Sequence, residues 1–478
     1  MATSPKFRPL ERAHAPIVAL LGLAVTLVLV NGRAQISNDT WFNLVTGREI
    51  AWNGLIHRNT LTLLRHGAEV TDPQWLAHLF FYGLHRLGGF AALLVVRALL
   101  SAATLAVACT ASIWFGATPG RTAIAGLVVL PLVTTNAAVR AQSLGELCFV
   151  SVAALLLADQ REASRRAWFA VAIVALWTNL HGSALFVTLL GPLAFVSRRI
   201  DARRGLSSSS PAWRDIALCA ALVLALFASP YLTSLVPYFR ASVANRALAV
   251  YNEEYRRPTV AADPLVFAVA AIVLACVARA RRQLAAFEIG LAILVVALGL
   301  SAIRYGVFLA LGSMLVLPRA LDAALPPHLL ALDRARGAPT VAAALVAAAV
   351  ASAVYAVTAV PGAIARARPT STAADISRRA GRNGTVFATE NYGDTLLWYR
   401  PELRGRVALD ARLEFLSPRD LAWDAAVQRG ETVEDLEAFE VVVVDKVDAP
   451  ALARRLGDSL AWHRVSEDAT VVVFESTR

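Results

Sequence analysis

Asp39, Arg140, His181, Glu254 and Arg304 each lie close to the end of a long apolar stretch, in a chain where charge is scarce. Side chains of these types can transfer protons and bind anions. A carboxylate such as Asp39 can take a proton from a hydroxyl, or hold a divalent cation through its oxygens. In Asn252-Glu253-Glu254-Tyr255 two acids are adjacent, so their ionisation is coupled and either can serve as a second carboxylate. Arg304 carries a guanidinium that stays charged and matches the geometry of a phosphate, with Arg140 in support. A plainer role is open to each. Asp39 precedes a run with helical spacing and can cap it. Arg140 and Arg304 can snorkel to lipid headgroups, His181 between Asn179 and Gly182 can cap a helix break, and 252–255 can be a solvated loop. Arg97 sits several turns inside an apolar stretch and must face other helices and find a partner.

The segment Ser37–Gly89 carries most of the pattern. Trp41, Leu44, Val45, Ile50 and Trp52 have helical spacing, with Arg48 and Glu49 between them. This predicts an amphipathic helix at a membrane interface, its tryptophan at headgroup level, and Gln74–Arg86 predicts a second. An acid followed by aromatics just after a first apolar stretch resembles the opening loop of the GT-C superfamily of membrane glycosyltransferases. The similarity is greatest to a large bacterial branch with an Asp-x-Trp-x-x-Leu-x-x-Gly opening, matched by Asp39, Trp41, Leu44 and Gly47. Trp75-Leu76, Arg140-Ala-Gln142, Trp177-Thr-Asn179-Leu-His181-Gly182, Ser229-Pro230-Tyr231, Glu254-Tyr255, Arg304 and Gly393…Asp410-Ala-Arg412 continue it along nearly the whole chain. The chain departs from the branch at His57, Thr60, Tyr255 and Ala411, where Pro, Asp, Trp and Gly are usual.

The resemblance implies transfer of a sugar from a polyprenyl-phosphate donor to an exported glycan, lipid or protein. Asp39 would then be the base or a ligand of a divalent cation (Mg or Mn), and Glu254 the second carboxylate with Glu253 its competitor. Arg304 and Arg140 would hold the phosphate, and His181, Asn179 and Trp41 would contribute to substrate binding. Two other classes compete. A transporter or lipid flippase would place its charges at mid-membrane, and a scaffold would scatter Asp39, Glu254 and Arg304 rather than gather them at one cavity.

The elements that must position these residues follow from composition. Of 478 residues 57 % are hydrophobic and 17 % charged, and mean hydropathy is +0.55, which excludes a disordered, coiled-coil or small disulfide protein. The formal charge of +11 is nearly all arginine, with Lys6 and Lys446 the only lysines, and it lies in short gaps between apolar stretches. That is the positive-inside pattern of a membrane protein, and no basic arm points to nucleic acid. Cys109, Cys148, Cys219 and Cys276 fall inside apolar stretches and form neither a CxxC site nor a staple. His57, His66, His78 and His85 are too dispersed for zinc.

Apolar windows fall at 15–31, 89–115, 122–138, 142–158, 167–180, 183–197, 214–230, 264–279, 286–303, 304–318 and 339–360, predicting about eleven transmembrane helices. Arginines in the gaps at 1–14, 159–166, 198–214, 279–283 and 319–336 put the N-terminus in the cytoplasm of a bacterial inner-membrane protein. The odd count puts the C-terminal part in the periplasm. Gly32-Arg33-Ala34 makes a poor signal-peptide cleavage site, and cleavage there would leave the later orientation unchanged. After Pro361 charge rises, and β-rich runs at Thr385–Ala388, Val407–Asp410, Val441–Asp445 and Val471–Phe474 alternate with helical runs at Pro418–Gln428 and Pro450–Leu456. The expected architecture is therefore an all-α polytopic membrane domain over 1–360, GT-C-like, and a soluble exterior α/β domain over 361–478.

Overall fold

A computed structural model describes residues 14–32, 34–135, 138–205, 210–244, 246–326, 329, 332 and 337–477. Arg12, Arg33, Arg334 and Arg336 lie outside the described residues. A helix occupies each of the eleven apolar windows. They are α1 (Ala15–Val30), the second half of α3 (Trp75–Trp114), α4 (Pro119–Thr134), α5 (Gln142–Arg161), α6 (Phe169–Trp177), α7 (Val187–Arg203), α8 (Ala212–Leu224), α11 (Pro264–Ala280), α12 (Ala286–Ser301), α13 (Gly306–Met314) and α15 (Ala338–Thr358), with α2 (Asn38–Asn53), α9 (Leu235–Ala244), α10 (Arg246–Tyr251) and α14 (Leu317–Ala324) between them. Four described helices, Trp75–Trp114, Gln142–Arg161, Gly182–Arg203 and Ala338–Thr358, are long and apolar enough to cross a membrane, or up to six counting two bent pairs. Helices α1, α4 and α12 have 16 residues each, a rise of about 24 Å against about 30 Å of hydrocarbon. Length alone therefore selects fewer spans than the eleven expected.

One continuous apolar core runs through the helical bundle. Arg97 has the partners its depth demands. It donates to Ser101 Oγ (2.7 Å) and the Ala138 carbonyl (3.1 Å), and it faces Glu146 at 3.7 Å. At the opposite end from Asp39, Arg198 and Arg214 clamp Asp159 and Asp215, tying α5, α7 and α8 together.

The C-terminal unit starts after α16 (Val360–Ala367) and carries α17 (Thr370–Ala380), α18 (Glu390–Tyr399), α19 (Pro418–Gln428) and α20 (Pro450–Gly457) around a sheet. Strands β1 (Val386–Ala388), β2 (Val441–Asp445), β3 (Trp462–Glu467) and β4 (Val471–Ser476) are ordered β1-β2-β4-β3. β1 runs parallel to β2, and the other two pairings are antiparallel. All five β2 residues are buried, as expected of a central valine-rich strand covered on both faces.

Two expectations are corrected here. Val407–Asp410 is not a strand of the sheet; Val407 makes isolated bridges to Val386 on one side and Thr62 on the other. It thereby joins the sheet to the segment after α2 (Asn38–Asn53), with Leu63 and Leu64 donating to the Val407 and Ala408 carbonyls at 2.7 and 2.9 Å. The second concerns α2 itself, whose first half has no wet face. All eight residues from Thr40 to Gly47 are buried, because the helix is sandwiched between α3 and α18. Sequence periodicity does not reveal that second cover, since it comes from a unit some 350 positions later. Arg48, placed on the polar face by that periodicity, donates to the Leu397 and Trp398 carbonyls at 2.7 Å each.

Candidate active site

The first turn of α2, the start of α5 and the turn between α12 and α13 meet at one end of the bundle, around a cavity of about 650 Å³. Asp39, Arg140, His181, Glu253, Glu254 and Arg304 all line it, drawn from segments up to 265 positions apart in the chain. Arg140, between α4 and α5, is the hub. Its Nη1 donates to Glu254 Oε1 at 2.6 Å and lies 3.4 Å from Asp39 Oδ2. The guanidinium is buried, whereas the Asp39 and Glu254 side chains are 42 % and 46 % accessible, so both carboxylates can meet a ligand in the cavity. Arg304, in the tight turn Ile303–Tyr305 between α12 and α13, stacks over the Tyr255 ring at 4.3 Å. That stacking holds a planar cation in place.

The two carboxyls differ in basicity. Enclosure raises the Asp39 carboxyl above its ordinary value, and the neighbouring Glu254 carboxylate adds to the rise, against the pull of Arg140. Enclosure acts on Glu254 the same way, but Arg140 and Arg304 outweigh it and hold that carboxyl below its ordinary range. The pair thus separates into a more basic Asp39 and a persistently ionised Glu254.

His181 both caps and lines. Its Nδ1 accepts from the Ser183 backbone N–H (3.0 Å) and Ser183 Oγ (2.7 Å), starting the turn Gly182–Phe186. An accepting Nδ1 places the ring proton on Nε2. Ser183 Oγ also accepts from Trp177 Nε1 at 3.1 Å, which ties together the motif residues 177, 181 and 183.

Two expected contacts are corrected. Trp41 is 1 % exposed and packs on Phe90 and Tyr399 (centroids 5.1 and 5.6 Å), so it anchors α2 in the core and lines neither large cavity. Asn179 is spent on structure. Its amide donates to the Ala175 and Ala228 carbonyls, and its Oδ1 accepts from Trp75 Nε1 at 2.7 Å. Asp410 and Arg412 form a bidentate pair, and Arg412 also donates to Asn59 Oδ1 at 2.9 Å.

Sequence reasoning missed the wall supplied by the C-terminal unit. Glu390, Asn391, Glu414 and Asp448 line the same cavity. Glu390 opens α18 and accepts from Asn38, the neighbour of Asp39, at 3.4 Å. Burial, with Asp424 and Asp39 nearby, pushes its carboxyl up to about 8. Glu390 and Glu414 flank the Gly393…Asp410-Ala-Arg412 pattern, but nothing local marks either as a site residue. A divalent cation at Asp39 would find that carboxylate and Glu254 as oxygen donors. Among the described residues no group of three or more His, Cys, Asp or Glu is placed to hold a metal ion.

No protein-family model matches the sequence, and neither does any curated protein. Solved structures do match its fold. ArnT from Cupriavidus metallidurans bound to undecaprenyl phosphate superposes with a TM-score of 0.53 at 16 % identity, over 96 % of this chain and 97 % of that one. The apo state of the same protein gives 0.52 at 16 % identity with the same coverage. The mycobacterial arabinofuranosyltransferase AftD gives 0.52 at 16 % identity, covering 98 % of this chain and 42 % of AftD. The chain thus shares its fold with ArnT and AftD, and at least four of its described helices are long and apolar enough to cross a membrane.

Proposed function

We propose that the chain transfers a sugar, with inversion, from a polyprenyl-phosphate donor to a hydroxyl of an exported glycan, lipid or protein. The carrying observation is the convergence of Asp39, Glu254, Arg140 and Arg304 on one cavity at the ends of the helices. In this reading Arg304 and Arg140 hold the phosphate and stabilise the charge it gains on leaving. Asp39, the more basic carboxylate, takes the acceptor proton as the hydroxyl oxygen bonds to the anomeric carbon. The bond between that carbon and the phosphate oxygen breaks, and the phosphate keeps the electron pair. Glu254 keeps Arg140 in place and accepts from acceptor hydroxyls, with Glu253 beside it. His181 offers its Nε2–H to the cavity. A bound Mg or Mn would add positive charge at the phosphate. EDTA treatment tests for it, and full transfer after chelation would remove the metal from the scheme.

The reading places residues 1–360 in a bacterial inner membrane with the N-terminus cytoplasmic, and 361–478 as a periplasmic α/β domain that closes over the site. Convergence supports a site over a scaffold. Arg97 and Glu146, two of the charges inside the bundle, face each other at 3.7 Å, which weighs against their serving a transport path. Comparing lipid-linked and surface glycans of a deletion strain with its parent gives the readout. Asp39→Asn should fail to restore the parental glycan, with a loss of transfer of about 10²-fold or more. A fully active, normally folded Asn variant would sink the assignment.

A further inference from the structure

A second, larger cavity of about 1230 Å³ lies against the first, and the proposed transfer does not yet use it. Phe42, Gln74, Tyr238 and Glu414 line both, so the two chambers share a wall. Their linings otherwise differ in origin. The smaller cavity takes Gln142, Phe186 and Tyr305 from the apolar windows. No lining residue of the larger lies in any of those windows. Its walls are α2, the segment 56–74, residues 231–238 with Ala247, and residues 412–418 of the C-terminal unit. Helical residues Leu232–Arg240 turn 95° away from Ala212–Phe227, so this wall does not continue the span.

The larger lining is aromatic and charge-balanced. Phe42, Tyr231, Tyr238 and Phe415 present rings. Arg58, Arg65 and Arg412 line it together with Glu69, Asp72 and Glu414, three cations and three acids. Such a wall suits a neutral ligand that has C–H faces to lay on rings and many hydroxyls to share among planar polar groups. A polyanion would meet as many carboxylates as guanidiniums, and an acyl chain would find no apolar wall from the bundle.

We infer that the larger cavity is the acceptor site and that it takes a neutral saccharide, delivered through the shared wall to Asp39. The inference rests on the transferase reading, with the lipid-linked donor entering from the bundle side. Detergent-solubilised full-length protein can be offered an array of bacterial surface oligosaccharides, and separately undecaprenyl phosphate. Ser234→Trp and Thr71→Trp plug the cavity from two walls, with melting temperature as the check on folding. Wild type is expected to bind at least one oligosaccharide, and a folded plugged variant to bind it at least about tenfold more weakly, while undecaprenyl phosphate binds both equally. Unweakened oligosaccharide binding in the folded plugged variants, or wild-type binding confined to lipid-linked acceptors or absent across the array, overturns the acceptor site. Failure of wild type to bind undecaprenyl phosphate strikes the transferase reading instead.

Discussion

At the scale of single residues, charge placement separates roles that side-chain type leaves equal. Asp39 and Glu254 are both carboxylates beside Arg140, yet only Glu254 has its ionised form favoured on balance. Arg304 tests the phosphate role directly. Lysine keeps the charge but loses the planar fork and the stack on Tyr255, so Arg304→Lys should weaken undecaprenyl phosphate binding about tenfold, measured by titration in detergent. Glu390 makes a pH prediction with a definite sign. Its carboxyl is raised from 4.5 to about 8 in the folded chain, so between those values the folded state holds a proton that the unfolded state has released. Stability from this group is complete below about pH 4.5 and lost as pH climbs through about 8. Melting temperature should fall over that window, and Glu390→Gln should flatten the fall. An unchanged slope in the variant would show that Glu390 ionises normally.

At the scale of elements, the opening motif proves to be a packing device as much as a chemical one. Asp39 faces the cavity, Trp41 and Leu44 fill the core, and Gly47 lets α2 lie directly on α3. A Cβ at Gly47 would overlap the His78 carbonyl oxygen and stand 2.6 Å from Tyr82 Cβ, where neither backbone nor Cβ can yield. Gly47→Ala should therefore cost about 1–3 kcal/mol, read as a drop in melting temperature, and should lower transfer by displacing Asp39. Gly145→Ala presses similarly on Ser183 Oγ (2.8 Å) and Trp177 Nε1 (3.0 Å), under the His181 cap. The sequence revealed the elements where one local signal sufficed: the apolar windows, the helical run Pro418–Gln428 that is α19, and the valine runs of β2 and β4. It failed where a distant partner decides. The periodicity of α2 promised one wet face because α18 is invisible from it, and β3, the pattern Trp462-His-Arg-Val-Ser-Glu, is an edge strand too polar to stand out. The same limit hid Glu390 and Glu414. Their relevance comes from the docking of residues 405–408 of the C-terminal unit on residues 61–64, not from neighbours in sequence.

At the scale of the whole molecule, the distribution of charge makes an orientation prediction that the fold alone does not decide. The site gathers where α1 ends and α5 begins, while Arg161, Arg165, Arg166, Arg198, Arg199 and Arg214 gather where α5 ends and α8 begins. A membrane potential and an anionic inner leaflet would retain the arginine end in the cytoplasm and leave cavity and sheet outside. The native thiols allow a direct test, since Cys109 and Cys148 are buried, and Cys219 and Cys276 can be changed to serine. In that background Leu460→Cys, at a position 98 % exposed on the C-terminal unit, should react with a membrane-impermeant maleimide added to intact spheroplasts. Glu162→Cys, just beyond α5, should react only after the membrane is opened. The reverse labelling would put the acidic site and its proposed saccharide acceptor in the cytoplasm. A transferase for exported glycans could not work there, because its acceptors would lie across the membrane from Asp39.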